Sequence, residues 1–203
     1  MSLPKFFHAP ARMDAAIDKA LAERRIVGAV VLAAHQGRII HRRAAGYANR
    51  ETLTPMREDA IFRLASITKP IVTAAAMRMV EQGRLDLHAP VTTWLPEFRP
   101  ALPDGTRPQI AIHHLLTHTS GIGYGFLEPS DGPYHRLNVS DGLDQPGLSL
   151  PENLARLGAA PLAFAPGAGW RYSLGIDVLG GILERLEDRS LGDIVRDAVA
   201  TPL

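Results

Sequence analysis

Ser66 and Lys69 form a Ser-x-x-Lys motif, in which a hydroxyl and an amine are separated by two residues. On a helix, positions i and i+3 share one face, so these two side chains can meet. The helix start adds a positive partial charge, which favours a forming alkoxide on the serine. A lysine buried beside that serine is expected to have a pKa lowered by desolvation and to act as a base. The alternative is a helix-capping serine beside a solvated lysine.

The flanks of this motif favour the catalytic interpretation. The apolar stretch Phe62-Arg63-Leu64-Ala65 precedes Ser66, and an alanine-rich stretch follows Lys69. A solvated lysine is less expected in such a setting. Pro70 is tolerated only in the first turn of a helix, so the helix is predicted to begin at Ser66 or the residue after it. It is predicted to end at Gly83, a residue that suits a helix C-terminus.

The surrounding elements are predicted to be a helix, a hairpin and then mostly helices. Apolar residues at helical spacing predict an amphipathic helix over about residues 12–24. Two extended runs around the turn signal Gln36-Gly37 predict a β-hairpin, and strand patterns occur only near residues 29–47. Residues 121–149 are rich in Gly, Pro, Asp and Ser and are predicted to form a long loop. Further helices are predicted near residues 112–117, 151–157, 176–186 and 191–199.

Four segments resemble motifs of the serine β-lactamase-like family, which holds class C β-lactamases, DD-peptidases and family VIII carboxylesterases. The segment Phe-Arg-Leu-Ala-Ser-Ile-Thr-Lys-Pro at residues 62–70 resembles the nucleophile segment. Residues 83–91, 115–121 and 166–173 resemble three further motifs in the same order. The resemblance is closest to the carboxylesterases. It implies an α/β (α+β), β-lactamase/transpeptidase-like fold, with a helical region beside an antiparallel sheet flanked by helices.

The resemblance also implies a catalytic role for one tyrosine, and the place of another between two glycines suggests a second tyrosine at the site. Tyr172 matches the catalytic tyrosine, and Lys69 as an ammonium would favour its phenolate, which could take the Ser66 proton. A buried tyrosine packed through its ring is the alternative. Tyr124 is expected on a loop over the pocket, where it would bind substrate, and an ordinary exposed loop aromatic is the alternative.

Two departures from the family pattern bear on substrate and on completeness. The family often has Tyr-x-Asn where this sequence has Tyr172-Ser173-Leu174, and the Leu174 side chain cannot hydrogen-bond a substrate amide. Leu174 in that substrate-binding position favours simple esters over β-lactams or peptides. No Lys-Thr-Gly-type motif follows Tyr172. We therefore expect an N-terminal portion of one catalytic domain, with a missing C-terminal segment that completes the sheet.

Within that portion, residues 10–60 are predicted to form the helix and hairpin of the sheet region, and residues 61–203 a mostly helical region. The 22 basic and 21 acidic residues give a net charge of +1, which does not favour a nucleic-acid partner. The absence of cysteine excludes a thiol nucleophile. No signal or membrane-spanning pattern is found, so a cytoplasmic protein without a membrane partner is expected.

Metal and cofactor chemistry is not expected. His114 and His118 are four residues apart, but the Glu of a His-Glu-x-x-His motif is missing. No Gly-x-Ser-x-Gly motif competes with Ser66. The sequence therefore predicts a serine esterase that hydrolyses short-chain carboxylic esters through an acyl-enzyme on Ser66 and needs no cofactor. A β-lactamase or DD-peptidase, an acyltransferase, and a non-catalytic binding homologue remain as alternatives.

Overall fold

The computed structural model describes residues 9–203 and divides into two compact units. The first unit extends to Arg63, and the second unit comprises Leu64–Leu203. None of the helices in the described part of the chain has both the length and the apolar character of a bilayer-spanning segment.

The first unit consists of one helix and a small antiparallel sheet. Helix α1 (Ala9–Ala22) is followed by β1 (Gly28–His35), β2 (Arg38–Asn49) and β3 (Thr54–Pro55). The strand order is β1-β2-β3, so β2 lies in the centre. The predicted helix and hairpin are confirmed, and the two-residue strand β3 was not predicted. Two residues are too few to show the alternating pattern by which a strand is recognised in a sequence.

The hairpin turn follows from the two residues that connect β1 to β2. Gln36 and Gly37 have φ angles of 49° and 73°. Positive φ at both central residues is the geometry that matches the twist of two paired strands. The turn signal in the sequence is therefore confirmed. A register shift between Ala33 and Ala34 adds an irregularity that the sequence did not indicate.

A polar cluster joins helix α1 to strand β2. One carboxylate oxygen of Asp14 lies 2.9 Å from His41 Nε2 and 2.9 Å from Arg43 Nη1. The only buried residues among 9–63 are Ile17 on the helix and His41 on the strand. Polar contacts and the strand ladder, more than apolar burial, therefore hold the first unit together.

The second unit is mostly helical. Its strand content is limited to one isolated bridge between Pro90 and Ala111. Its helices are α2 (Thr68–Glu81), α3 (Ile112–Leu116), α4 (Pro133–Arg136), α5 (Leu150–Ala159), α6 (Gly175–Glu187) and α7 (Leu191–Val195).

Helix α6 lies in the middle of the hydrophobic core of the second unit. Its first nine residues are almost all buried, and the helix contacts α2, α3, α5 and α7. Gly181 permits the close approach of α5, because a Cβ at this position would lie 2.5 Å from Leu154 Cδ1. The core therefore requires a residue without a side chain at that crossing.

Two predicted elements of the second unit were wrong in detail. Residues 121–149 are not a plain loop, because they contain a 3₁₀ turn at Gly125–Leu127 and helix α4. Tyr134 and Val139 from this segment enter the core, so long-range packing orders it despite its loop-like composition. The predicted last helix changes at Val195 into a π-helical turn, Arg196–Ala200.

Candidate active site

The turn that carries Ser66 immediately precedes helix α2. Residues Ala65–Ile67 form a 3₁₀ turn, and α2 begins at Thr68, which places Pro70 in the first helical turn. Proline is tolerated there because its missing N–H would have no partner within the helix. Ala65 has a φ of 46°, a conformation that is unfavourable for a residue with a Cβ. The Ser66 side chain is exposed, and so is that of Leu64, so the apolar stretch before the serine does not bury it.

Lys69 lies one turn further along and meets two tyrosines. Its Nζ donates a hydrogen bond to Tyr124 Oη at 2.8 Å. The same nitrogen lies 5.2 Å from the centroid of the Tyr124 ring and 4.9 Å from that of the Tyr172 ring. Distances below about 6 Å allow a favourable cation–π interaction. The ammonium group is therefore held between the two phenols.

The surroundings of the Tyr172 hydroxyl lower the pKa of this phenol. Burial alone raises the pKa of Tyr172, but hydrogen bonds with Ser66 and Lys69 and the lysine charge outweigh it. The pKa of this phenol is therefore lowered from its ordinary value of 10.0. The direction of this shift agrees with the expectation that an ammonium at Lys69 stabilises the phenolate relative to the phenol.

The expected shift of Lys69 itself was wrong. Partial burial lowers the pKa of Lys69, as the sequence suggested. Hydrogen bonds and charge interactions with Tyr124 and Tyr172 outweigh this effect, so the pKa is raised above 10.5. The protonated form of Lys69 is therefore favoured more than in an ordinary lysine.

Two segments distant in sequence run side by side and bring the tyrosines together. Arg171 N–H donates to the His118 carbonyl at 2.9 Å, and Gly167 N–H donates to the Thr119 carbonyl at 2.8 Å. Further along both segments, Leu174 N–H donates to the Gly123 carbonyl at 3.2 Å. These bonds place the two motif-bearing segments in register. The rings of the two tyrosines then stack with centroids 5.4 Å apart.

The two tyrosines belong to a row of five aromatic rings. Phe126 contacts Tyr124 at 4.7 Å between centroids, and the stacked Tyr172 contacts His118 at 4.8 Å. His118 in turn meets Trp170 edge-on at 6.0 Å. The outer rings, Phe126 and Trp170, are exposed, whereas the Tyr124 side chain is only 5% exposed. The middle of the row therefore offers a rigid support for the hydroxyl of Tyr172.

Asp177 adds a carboxyl group to the same neighbourhood. It lies in the first turn of α6 and is partly buried. Burial raises its pKa, and the charge of Lys69 lowers it by less, so the pKa ends above 3.8. The same carboxylate acts electrostatically on Tyr124 and Tyr172. Sequence reasoning missed Asp177, since it lies outside the quoted motifs.

The predicted site residues fall into two groups. Ser66, Lys69, Tyr172 and Tyr124 lie together, although the sequence did not indicate that Tyr124 would hydrogen-bond the lysine. Leu174 is 1% exposed and belongs to the hydrophobic core. A substrate contact through its side chain would need the core to open, and its substrate-binding role stays a prediction.

The histidines of the 113–118 segment have structural partners. His113 Nδ1 lies 3.1 Å from the Leu87 carbonyl, and His114 Nδ1 accepts a hydrogen bond from Ala111 N–H at 3.1 Å. Residues 9–203 contain no group of three or more His, Asp or Glu side chains placed to hold a metal ion. His118 contacts the Tyr172 ring and hydrogen-bonds Ser173, and neither contact was predicted from the sequence.

Comparisons with known proteins place this chain in a family. A family model described as Beta-lactamase matches residues 13–203. Esterase EstB of Burkholderia gladioli is 58% identical over 193 residues, which cover 95% of this chain and 49% of that protein. Monacolin J acid methylbutanoyltransferase of Aspergillus terreus is 32% identical over 210 residues, covering 94% of this chain and 49% of that protein.

A solved structure of a hydrolase has the same fold as this chain. EstCE1, described as a hydrolase with promiscuous acyltransferase activity, superimposes with a TM-score of 0.92 at 48% identity. The match covers 95% of this chain and 50% of that structure. The chain thus spans about half the length of the curated relatives that it matches. The matched model, the relatives and the shared fold together show that this chain belongs to the beta-lactamase family.

Proposed function

We propose that this chain carries the catalytic residues of a serine esterase that hydrolyses short-chain carboxylic esters. The observation that carries the proposal is the convergence of Ser66 and Lys69 on a Tyr172 phenol whose pKa is lowered. A phenol with this environment is a suitable base for a serine hydroxyl. The 58% identity to an esterase supports an ester as the substrate.

The proposed reaction has two halves. Tyr172 as phenolate takes the Ser66 proton, the serine oxygen forms a bond to the ester carbonyl carbon, and the carbonyl oxygen becomes an oxyanion. The bond to the alkoxy oxygen then breaks, and Tyr172 returns the proton to the leaving alcohol. Water attacks the resulting acyl-enzyme and gives its proton to Tyr172. The acid is released when Ser66 recovers that proton.

Lys69 and Tyr124 have supporting roles in this proposal. Lys69 stays protonated and lowers the free energy of the Tyr172 phenolate, which agrees with the raised pKa of the lysine. Tyr124 holds the ammonium by accepting its hydrogen bond, in addition to the substrate contact predicted from the sequence. The backbone N–H of Ser66 is proposed as one donor to the oxyanion.

The central test removes the nucleophile from a protein that contains residues 1–203 and the further segment proposed below. Ser66→Ala is expected to abolish hydrolysis of p-nitrophenyl butyrate and labelling by a fluorophosphonate probe, because no other serine nucleophile has these partners. Ser149→Ala is a matched control, since this serine only caps helix α5. The control is expected to keep full turnover and labelling. A Ser66→Ala protein that retains substantial turnover would show that the nucleophile lies elsewhere.

The proton-transfer role is tested at the tyrosine. Tyr172→Phe removes only the hydroxyl and is expected to lower kcat by a factor of about 10² to 10⁴, the usual contribution of general acid–base catalysis. Tyr47→Phe, on strand β2 of the first unit, is the control and should leave kcat unchanged. Near-normal turnover in Tyr172→Phe would assign the base role to Lys69 instead, contrary to its raised pKa.

Acyl transfer is a second candidate that a specific observation favours. One relative is a methylbutanoyltransferase, and EstCE1 is described with promiscuous acyltransferase activity. The acyl-enzyme would then react with an alcohol in place of water. Product analysis with added alcohol distinguishes the two outcomes, because a transferase forms a new ester while acid release falls. Turnover of nitrocefin relative to p-nitrophenyl butyrate tests the β-lactamase alternative in the same way.

Two further predictions remain part of this proposal. A further polypeptide segment is proposed to complete the sheet beside residues 29–47. The relatives' length and the exposure of Ile39 on strand β2 support this. The cytoplasmic location predicted from the sequence is also a proposal, and cell fractionation would test it.

A further inference from the structure

We propose that His118 is a positioning residue for Tyr172, and that it acts as a neutral hydrogen-bond acceptor for the buried hydroxyl of Ser173. This inference rests on the proposed function, because the placement of the phenol affects turnover only if Tyr172 transfers a proton. It assigns a task to a histidine that the proposed reaction does not use.

His118 holds both chain neighbours of Tyr172. Its carbonyl oxygen accepts the Arg171 N–H at 2.9 Å, and its Nδ1 lies 2.9 Å from Ser173 Oγ. Its ring also contacts the Tyr172 ring at 4.8 Å between centroids, with a tilt of 48°. His118 thus contacts the backbone of the residue before the tyrosine, the side chain of the residue after it, and the phenol ring itself.

The backbone of His118 is itself in an unusual conformation. Its φ is 57°, in the left-handed region that non-glycine residues rarely adopt. Outliers of this kind persist where surrounding contacts determine them strongly. Here the conformation allows the carbonyl and the ring of one residue to meet two neighbours of Tyr172.

The hydrogen bonds of Ser173 indicate which way the proton points. Ser173 is fully buried, and its oxygen already accepts the Gly175 N–H at 3.2 Å. A hydroxyl has one proton to donate, and His118 Nδ1 is the acceptor in reach. This arrangement requires a neutral imidazole with its proton on Nε2. If His118 carried a proton on Nδ1, the buried Ser173 O–H would lose its partner, which is unfavourable.

The charges around His118 favour the same neutral form. Burial lowers the pKa of His118, and the Lys69 ammonium on α2 lowers it further. Tyr172 and Trp170, both from the segment before α6, contact the imidazole, and Trp170 carries no charge. Asp177 on α6 interacts with Lys69 and Tyr172. The neutral acceptor is therefore consistent with both geometry and electrostatics.

Two substitutions of His118 separate the acceptor from the ring. His118→Asn keeps an acceptor near the place of Nδ1 and suits a positive φ, whereas His118→Phe keeps a ring without an acceptor. We expect the Phe variant to lose kcat on the order of tenfold or more, with KM nearly unchanged, because Tyr172 is misplaced. The Asn variant is expected to recover most of that loss. Thermal unfolding of both variants checks that the fold is kept.

A direct measurement in the intact wild-type protein accompanies the kinetics. Long-range ¹H–¹⁵N NMR of the His118 ring is expected to show a neutral imidazole protonated on Nε2 at a pH near the ordinary histidine value of 6.5. Ser173→Ala is expected to change that spectrum and to lower kcat in parallel.

The possible failures are distinguishable. An Nδ1–H tautomer, or a folded His118→Phe protein with wild-type kcat, would overturn the positioning role. An Asn variant that is folded yet no better than the Phe variant would also contradict it. A wild-type protein that contains the proposed further segment, yet neither hydrolyses esters nor reacts with the fluorophosphonate probe, would instead contradict the proposed function.

Discussion

The first and second units of this protein are stabilised in different ways. In residues 9–63 only Ile17 and His41 are buried, and Leu32 on strand β1 is 58% exposed. In the second unit, helix α6 runs through an extensive hydrophobic core, where Leu179 is 0% exposed. Strand pairing and polar contacts therefore stabilise the first unit, whereas apolar burial stabilises the second unit and supports the candidate site.

The largest expected effect concerns residues 1–203 expressed alone. Strand β1 is an edge of the sheet, and exposed apolar strand residues favour association. We expect poor solubility or a partly molten first unit, with little ester turnover. Hydrogen exchange should be faster for β1 and β2 than for α6. A monodisperse, cooperatively unfolding monomer with full turnover would remove the contrast between the units.

A matched pair of leucines measures the contrast directly. Leu179→Ala in the core of the second unit is expected to lower the free energy of unfolding by about 2–5 kcal/mol. Leu32→Ala on the exposed face of β1 is expected to change it by no more than about 0.5 kcal/mol. Urea unfolding of the intact protein compares the two. Similar losses at both positions would mean that the strand residue is covered.

A pair of glycines tests how tightly the second unit is packed. Gly181→Ala places a Cβ 2.5 Å from Leu154 Cδ1, and is expected to destabilise by about 1–3 kcal/mol. Gly192 in α7 has only a Ser190 oxygen at 4.0 Å, so Gly192→Ala should stabilise by about 0.5–1 kcal/mol. If the two substitutions shift the unfolding temperature in the same direction, the tight packing of α5 against α6 at Gly181 is contradicted.

The smallest expected effects are the opposite pH dependences of two carboxyl groups. Hydrogen bonds with His41 and Arg43 lower the pKa of Asp14 below 3.8. The stability that ionised Asp14 contributes to the fold is fully present above pH 3.8 and is lost as the pH falls through the folded pKa. Burial raises the pKa of Asp177, so the stability contributed by its neutral form is lost as the pH rises through the folded pKa.

Asparagine variants of Asp14 and Asp177 are expected to change the unfolding temperature in opposite directions. At pH 7, Asp14→Asn is expected to lower the unfolding temperature and Asp177→Asn to raise it. The Asp177 difference should shrink as the pH falls towards 3.8, while the Asp14 difference should persist to lower pH. Scanning calorimetry from pH 7 downwards provides the measurement. An Asp177→Asn protein that is less stable at pH 7 would show that its interaction with Lys69 outweighs its burial.

The sequence alone predicts the elements that depend on residues close together in the chain. Helical spacing predicted α1 and the Gln36-Gly37 pair predicted the hairpin turn, and both are confirmed. Pro70 predicted a helix start at Ser66 or Ile67, and α2 begins one to two residues later, at Thr68. The fold class and the family resemblance are confirmed by the matched family model and by the TM-score of 0.92. These signals are readable because one or two turns of backbone suffice to produce them. The catalytic roles of Ser66 and its partners stay predictions.

The contacts and pKa shifts of the candidate site arise between residues far apart in the chain, and only the tertiary structure shows them. Lys69 and Tyr124 are 55 positions apart, so no local sequence pattern indicates their hydrogen bond, which contributes to raising the lysine pKa. The same distance separates His118 from Ser173. Residues 121–149 are ordered by the core that they join, although their composition is typical of a loop. Burial and charge at a site are sums over long-range neighbours, and only the folded chain determines which neighbours those are.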